Sequence, residues 1–312
     1  MKKKLWQLKK DKLSKTNIYK YLKFLKKNFN QNVNTNFEDL WKWSIKEPSF
    51  FWKSIWSFTV IKGTIGNILL KKSNIFFKNK FFLNSKINYA ENLLFKNNDT
   101  EAIVFRSENG FRESVSWKRL NKDVKNVSSW MLKQKIKKGD RIVAYLPNIT
   151  QTVISFLATS SLGAIWSSCS PDFGVQGVVD RFSQIKPKIL FITNIYYYNG
   201  KKIDVISRLP DIISKIPSIR TVVIIPYPGT SYLDKKKFKK ITICHWKNIL
   251  QNIKKKNFQF KKFKFNDPLM ILYSSGTTGK PKCICHSIGG TLIQHKKELS
   301  LHCDIKNNDK VF

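Results

Sequence analysis

Apolar residues recur at helical spacing over 16–30, at Ile18, Tyr21, Leu22, Leu25 and Phe29, with Lys filling the other face. This is the pattern of an amphipathic helix lying on a body. A cluster rich in aromatic residues follows at Phe37, Trp41, Trp43, Phe50, Phe51, Trp52, Ile55, Trp56 and Phe58. Phe51, Trp52, Ile55 and Trp56 share one helical face after Pro48, a residue suited to a first turn. Stripes of this kind belong to packed cores, so the cluster is expected to pack. Beyond Asn88 short apolar runs alternate with helical periodicity. Strands are predicted at 102–105, 141–146, 164–168, 188–193 and 221–225, and helices at 117–133, 150–162 and 177–185. The order predicts an α/β fold with a mostly parallel sheet and helices on both faces, preceded by a helical, aromatic-rich N-terminal cap.

The 312 residues are 42% hydrophobic and 13% aromatic, which excludes a disordered chain, a collagen-like repeat and a small disulfide scaffold. Five Cys (169, 244, 283, 285 and 303) are scattered without C-x-x-C spacing and read as free thiols. Charge changes the picture more. Lys+Arg number 58 against 20 Asp+Glu, a formal net charge of +38 that points first to nucleic acid or an anionic membrane. Only seven of those cations are Arg (106, 112, 119, 141, 181, 208 and 220), however, which leaves 51 Lys. Arg is the side chain that reads base edges and clamps phosphate with two parallel bonds, so its scarcity argues against a specific nucleic-acid partner. The accompanying excess of Asn, Ile and Phe points to nucleotide bias in the gene, with Lys tolerated as solvated surface. A basic nucleic-acid-associated protein stays as the alternative from another class, because 254–264 interleaves Lys with Phe. Otherwise the Lys runs at 235–240 and 254–264 are expected as peripheral loops or edge strands.

Lys2, Lys3 and Lys4 are not followed by an apolar core, so no secretory signal is expected and the cytoplasm is the expected location. The uncharged stretch 142–171 has the length of a membrane span. Pro147 and a series of Ser, Thr and Gln side chains instead suit a buried strand, turn, helix and second strand. No membrane association is expected.

Chemistry concentrates in one segment. The apolar run Leu269-Met270-Ile271-Leu272 feeds into Tyr273-Ser274-Ser275-Gly276-Thr277-Thr278-Gly279-Lys280-Pro281-Lys282. Glycines at 276 and 279 permit positive φ, which lets successive backbone N–H groups converge on an anion. Hydroxyls at 274, 275, 277 and 278 add donors, and Lys280 and Lys282 add charge. Such a loop is suited to polyphosphate. It is not a Walker A loop, which would need a glycine where Ser274 stands and a hydroxyl where Pro281 stands.

At these residues the chain resembles the adenylate-forming superfamily, whose phosphate loop has the same Ser-Gly-Thr-Thr-Gly-x-Pro-Lys form. Within it the chain is most similar to the acetoacetate–CoA ligases. The similarity is carried by Leu40-Trp41-Lys42-Trp43-Ser44 with Pro48 and Phe51-Trp52, and by Asn88-Tyr89-Ala90-Glu91-Asn92. It continues in Cys169-Ser170-Pro171-Asp172-Phe173-Gly174-Val175 with Asp180-Arg181-Phe182, and in Lys282-Cys283-Ile284-Cys285-His286 with Gly289-Gly290-Thr291-Leu292.

The resemblance implies a helical cap of the acetyl-CoA synthetase type over 1–95 and an AMP-binding large domain over 96–312. It also implies a two-step ligation in which ATP and acetoacetate form an acyl-adenylate and pyrophosphate, and CoA then displaces AMP. Acetate or another short acid is the alternative substrate. Thr277, Thr278, Lys280 and Lys282 would hold the β- and γ-phosphates, with Ser274, Ser275, Gly276 and Gly279 shaping the cradle and Mg²⁺ accompanying the nucleotide. Lys201 and Lys202 fall where related synthetases place basic residues near the CoA phosphates. No residue is assigned a catalytic or metal-binding role: His286 and His295 are expected to be structural, and Cys283 and Cys285 to be small packing residues. The resemblance stops at Phe312, about half-way along the family. The adenine-stacking segment, the C-terminal domain and its catalytic Lys fall beyond that point, so little activity is expected of this chain alone, and a separately encoded C-terminal half is a candidate partner.

Overall fold

The computed structural model describes residues 10–31, 33, 37–230, 241–251, 258–274 and 279–312. The chain divides into two compact units. One comprises residues 1–87, 264–266 and 289–312, the other residues 88–263 and 267–288.

The first unit opens with helices Asn17–Phe29 (α1), Phe37–Lys46 (α2) and Pro48–Phe58 (α3). Helix α1 begins where Thr16 accepts a hydrogen bond from the Tyr19 N–H and ends at Asn30 in the left-handed conformation. Its buried face carries Tyr21 and Leu25, and the Tyr21 hydroxyl meets the Ser54 hydroxyl at 2.6 Å in the interior. Ile55 and Trp56 of α3 are buried as expected, and Trp56 stacks near Phe265. Phe51 is buried too, and Trp43, Trp52 and Phe58 are half-buried, but three members depart from expectation: Phe37, Trp41 and Phe50 are 75%, 50% and 51% exposed. Helix α2 has the periodicity of a packed face, yet it holds no buried residue among those described.

The second unit contains the expected α/β layers. A hairpin, Glu101–Arg106 with Arg112–Ser116, leads into helix Trp117–Lys133 (α4). Then follow strand Arg141–Tyr145 (β1), helix Thr150–Ser161 (α5), strand Ile165–Cys169 (β2), helix Val175–Ile185 (α6) and strand Ile189–Thr193 (β3). Strands Thr221–Ile225 (β4), Thr242–His245 (β5), Pro268–Ser274 (β6) and Lys282–Ser287 (β7) complete a sheet in the order β5-β4-β3-β1-β2-β6-β7. All neighbours are parallel except β6 and β7, which form an antiparallel pair at one border. Ile142, Val143, Ala144, Leu190, Phe191, Ile192, Val222 and Val223 are wholly buried. Uninterrupted apolar strands are what a sheet covered on both faces requires. The uncharged stretch over 142–171 is therefore β1, α5 and β2, and no described helix is long and apolar enough to cross a membrane.

Two features of this sheet position a site. First, β1 lies between β2 and β3, so the chain leaves β1 toward one side and returns on the other. Doubly wound sheets open a ligand crevice at the carboxyl ends of strands beside such a reversal. Second, Arg141 fixes the far end of α6: its Nε and Nη2 donate to the Ile185 and Lys186 carbonyls at 2.6 and 3.0 Å, where Lys186 takes the left-handed conformation. A cation at a helix C-terminus satisfies carbonyls that have no intrahelical donor. The Lys run at 235–240 and residues 254–257 of the second run lie outside the described residues.

Candidate phosphate and thiol site

The Ser- and Thr-rich segment leaves the carboxyl end of β6, on the edge of the sheet where parallel strands present their loops. Tyr273 pairs with Cys283 and Ser274 with Lys282 across the β6–β7 ladder, so the two limbs of the loop are brought side by side. Ser274 is half-buried, whereas Gly279, Lys280 and Lys282 are exposed. Gly279 has φ +87°, and no atom lies within 4 Å of a Cβ built on it. Backbone conformation, not space, is what favours glycine there. Ser275, Gly276, Thr277 and Thr278 lie outside the described residues.

Helix α6 and strand β2 flank those limbs. Ser167 donates its hydroxyl to the Ile271 carbonyl at 2.7 Å, and Tyr273 donates its phenol to the Arg181 carbonyl at 3.1 Å. Burial pushes the Tyr273 phenol above its ordinary range, so it stays a donor at any physiological pH. The Arg181 guanidinium lies 4.2 Å from the Phe173 ring centre and 5.9 Å from that of Tyr273. Gln184, one turn on from Arg181, donates Nε2 to the Pro281 carbonyl at 3.0 Å.

A second cluster joins the carboxyl ends of β1, β2 and β3, at the reversal of strand order. Arg208 Nη1 donates to the Tyr145 hydroxyl at 2.5 Å and to the Pro171 and Phe173 carbonyls at 2.9 and 3.2 Å. The wholly buried Tyr145 donates its hydroxyl within the same group, to the Phe173 carbonyl at 2.5 Å. Asp172 in that loop accepts from the Ser170 and Tyr196 hydroxyls, each at 2.5 Å. Those two hydrogen bonds, Ser170 first, hold its carboxyl below the usual carboxylate range. Burial and then the bond to Asp172 push Tyr196 up to about 12. Tyr196 lies in the first strand of a hairpin, Ile195–Tyr198 with Lys201–Asp204, that turns at Asn199 and Gly200, both at positive φ. This is the primed two-residue turn that Asn-Gly favours. The Asn199 and Gly200 N–H groups donate to the Glu108 carboxylate at 3.2 and 2.9 Å.

The hairpin displays Lys201 and Lys202, both exposed and without a carboxylate partner among the described residues. The sheet thus places the two sets of candidate residues in loops at the same edge, one after β6 and one after β3. Arg208 and Tyr145 carry no local sequence signal for a role here. Arg208 is singled out only by the rarity of Arg among so many Lys.

Elsewhere, Cys283 and Cys285 were expected to pack, and instead both are exposed on the border strand β7. His286 is half-buried on β7, whereas His295 is exposed on the Ile288–Lys297 helix, in the other unit. Among the described residues no three His, Cys, Asp or Glu side chains gather as a metal site.

A parallel sheet reversing at β1, with a Gly- and hydroxyl-rich loop leaving one strand end, is the architecture of a nucleotide-binding α/β enzyme. The sequence profile of the AMP-binding enzyme family matches residues 92–312, and the chain belongs to that family. It is 39% identical over 271 residues to the acetoacetyl-coenzyme A synthetase of Rhizobium meliloti, covering 86% of this chain and 41% of that protein. It is 40% identical over 281 residues to the acetoacetyl-CoA synthetase of Macaca fascicularis, covering 88% of this chain and 42% of that one. Among solved structures, the acetoacetyl-CoA synthetase from Streptomyces lividans superposes with a TM-score of 0.90 at 30% identity, covering 98% of this chain and 47% of that one. The chain therefore spans less than half the length of the relatives it matches.

Proposed function

We propose that this chain supplies the parts of an acetoacetate–CoA ligase that hold the phosphates of ATP and of CoA. The carboxylate of acetoacetate attacks the α-phosphorus of ATP and expels pyrophosphate; the CoA thiol then attacks the acyl carbon and expels AMP. The first step needs the departing charge neutralised and the partners held in line. Thr277, Thr278, Lys280 and Lys282 take the β- and γ-phosphates, and Ser274, Ser275, Gly276 and Gly279 shape the cradle. Lys201 and Lys202 meet the phosphates of CoA. Mg²⁺ enters as the counter-ion of ATP; the described residues offer it hydroxyl oxygens but no carboxylate cluster, so no step is assigned to it. In this reading residues 1–95 form the cap, residues 96–312 belong to the AMP-binding domain, the protein works in the cytoplasm, and a C-terminal half completes the nucleotide site.

The observation that carries the proposal is the loop's position: Ser274 ends β6 and Lys282 begins β7, on the edge of the sheet where β3 presents the Lys201–Lys202 hairpin. The test is acetoacetate-dependent exchange of labelled pyrophosphate into ATP, run on this chain alone and co-expressed with the C-terminal half of the Rhizobium meliloti relative. Exchange is expected in the complemented sample. Its absence there rejects the assignment, and faster exchange with acetate replaces the proposed substrate.

A further inference from the structure

The β6–β7 pair lies at the border of the sheet, and its last ladder pair is Ser274 with Lys282. Pro281 is therefore the first residue beyond the ladder on one limb of the loop, where strand pairing no longer holds the backbone. Helix α6 takes over at that point. Gln184 donates Nε2 to the Pro281 carbonyl at 3.0 Å, and its Oε1 lies 3.6 Å from the Cys283 thiol, a donor on the same limb. The same amide nitrogen donates to the Asp180 carbonyl at 2.7 Å, which holds the side chain against its own helix. On the other limb, the Tyr273 phenol donates to the Arg181 carbonyl at 3.1 Å. Arg181 and Gln184 are three residues apart, so they occupy one face of α6. Both ends of that helix are themselves anchored, by Arg208 through the Pro171 and Phe173 carbonyls and by Arg141 through the Ile185 and Lys186 carbonyls.

We propose that α6 is a strut for the phosphate loop, with Gln184 and Tyr273 as positioning residues that hold the two limbs. Ser274 on one side and Lys280 and Lys282 on the other thereby keep a fixed spacing. The functional half of this proposal rests on the phosphate-binding reading above. The strut itself rests on contacts among described residues alone. A pre-set spacing matters for polyphosphate because donors that must be ordered on binding lose affinity to that ordering.

Two variants remove one donor each without changing shape. Gln184→Met keeps the length of the side chain without its amide and adds no charge, and Tyr273→Phe keeps the ring. Gln176→Ala, on the same helix but facing Asp180, is the control. Hydrogen–deuterium exchange of residues 279–283 and calorimetric titration with pyrophosphate are measured on the full chain, after melting curves have shown that each variant folds. Each test variant is expected to speed exchange in that segment about fivefold and to weaken pyrophosphate binding about fivefold, the effect of losing the hydrogen bond that ties its limb to α6. The control is expected to change neither. Unchanged exchange in both test variants overturns the strut. Faster exchange with unchanged pyrophosphate affinity overturns its role in binding. A wild-type chain that does not bind pyrophosphate defeats the phosphate-loop reading, and with it the functional half, while the exchange comparison still decides the strut.

Discussion

Tyr196 donates its phenol to Asp172 Oδ1 at 2.5 Å, and through this one bond the hairpin carrying Lys201 and Lys202 is tied to the loop that precedes α6. Asp172 is held below the usual carboxylate range by Ser170 and Tyr196. A carboxyl whose folded pKa is depressed contributes stability that is complete above its unfolded value, about pH 4, and is lost as pH falls through the folded value. Asp172→Asn is therefore expected to melt below the wild type at pH 7, with the gap narrowing as pH falls below the ordinary carboxylate range. A gap independent of pH would show that the carboxylate charge is not what the two hydroxyls stabilise.

Arg208 reaches one hydroxyl and two carbonyls from a single nitrogen. Lys can place a charge there but not the same planar fork. Arg208→Lys is expected to cost about 1–2 kcal/mol in urea unfolding, with the buried Tyr145 hydroxyl left short of a donor. A cost near zero means that the three acceptors find other donors.

Phe191 is wholly buried in β3, with ring contacts to Trp130, Trp166 and Trp246 at 6.4, 6.5 and 6.4 Å. Phe191→Ala opens a cavity between layers that cannot easily collapse around three large rings. It is expected to cost about 3–5 kcal/mol, and Phe191→Leu distinctly less. Chemical unfolding of both variants checks the order.

Thiol labelling followed by mass spectrometry separates four of the five Cys by environment. Cys283, Cys285 and Cys303 are exposed and are expected to be alkylated in the native protein at pH 8, Cys285 more slowly because partial burial pushes its thiol up. Cys169 is buried, and that burial raises it to about 12, so it should label only after unfolding. Fast native labelling of Cys169 would place it at the surface.

Much of the second unit was legible because its elements are long or uniformly apolar. The predicted bounds of 117–133 and 221–225 coincide with α4 and β4, and the uncharged 142–171 resolved into strand, helix and strand. The hairpin at 195–204 was not anticipated, although Asn199-Gly200 is a strong turn signal, because three Tyr and two Lys give no alternation to mark its strands. In the N-terminal region, periodicity located α3 and its buried Ile55 and Trp56. It could not tell that Phe37 and Trp41 on α2 stay exposed, since a pattern shows which residues share a face and not whether anything covers it. The return of residues 264–266 and 289–312 to the first unit is a long-range fact with no local signature. At the site, the loop composition pointed to Lys280 and Lys282. The supporting contacts of Gln184, Arg208 and Tyr145 depend on which strand ends the fold makes neighbours.

Arg141, Arg181 and Arg208 all direct guanidinium N–H groups at backbone carbonyls within or beside α6, at its far end, along its length and in the loop before it. In a chain with 51 Lys and seven Arg, these positions mark where a point charge on a flexible stem is an inadequate substitute. The rare cation is thus a locator. In a sequence saturated with one basic residue, sites of geometric demand stand out as the places where the other one persists, and here three of them outline a single helix.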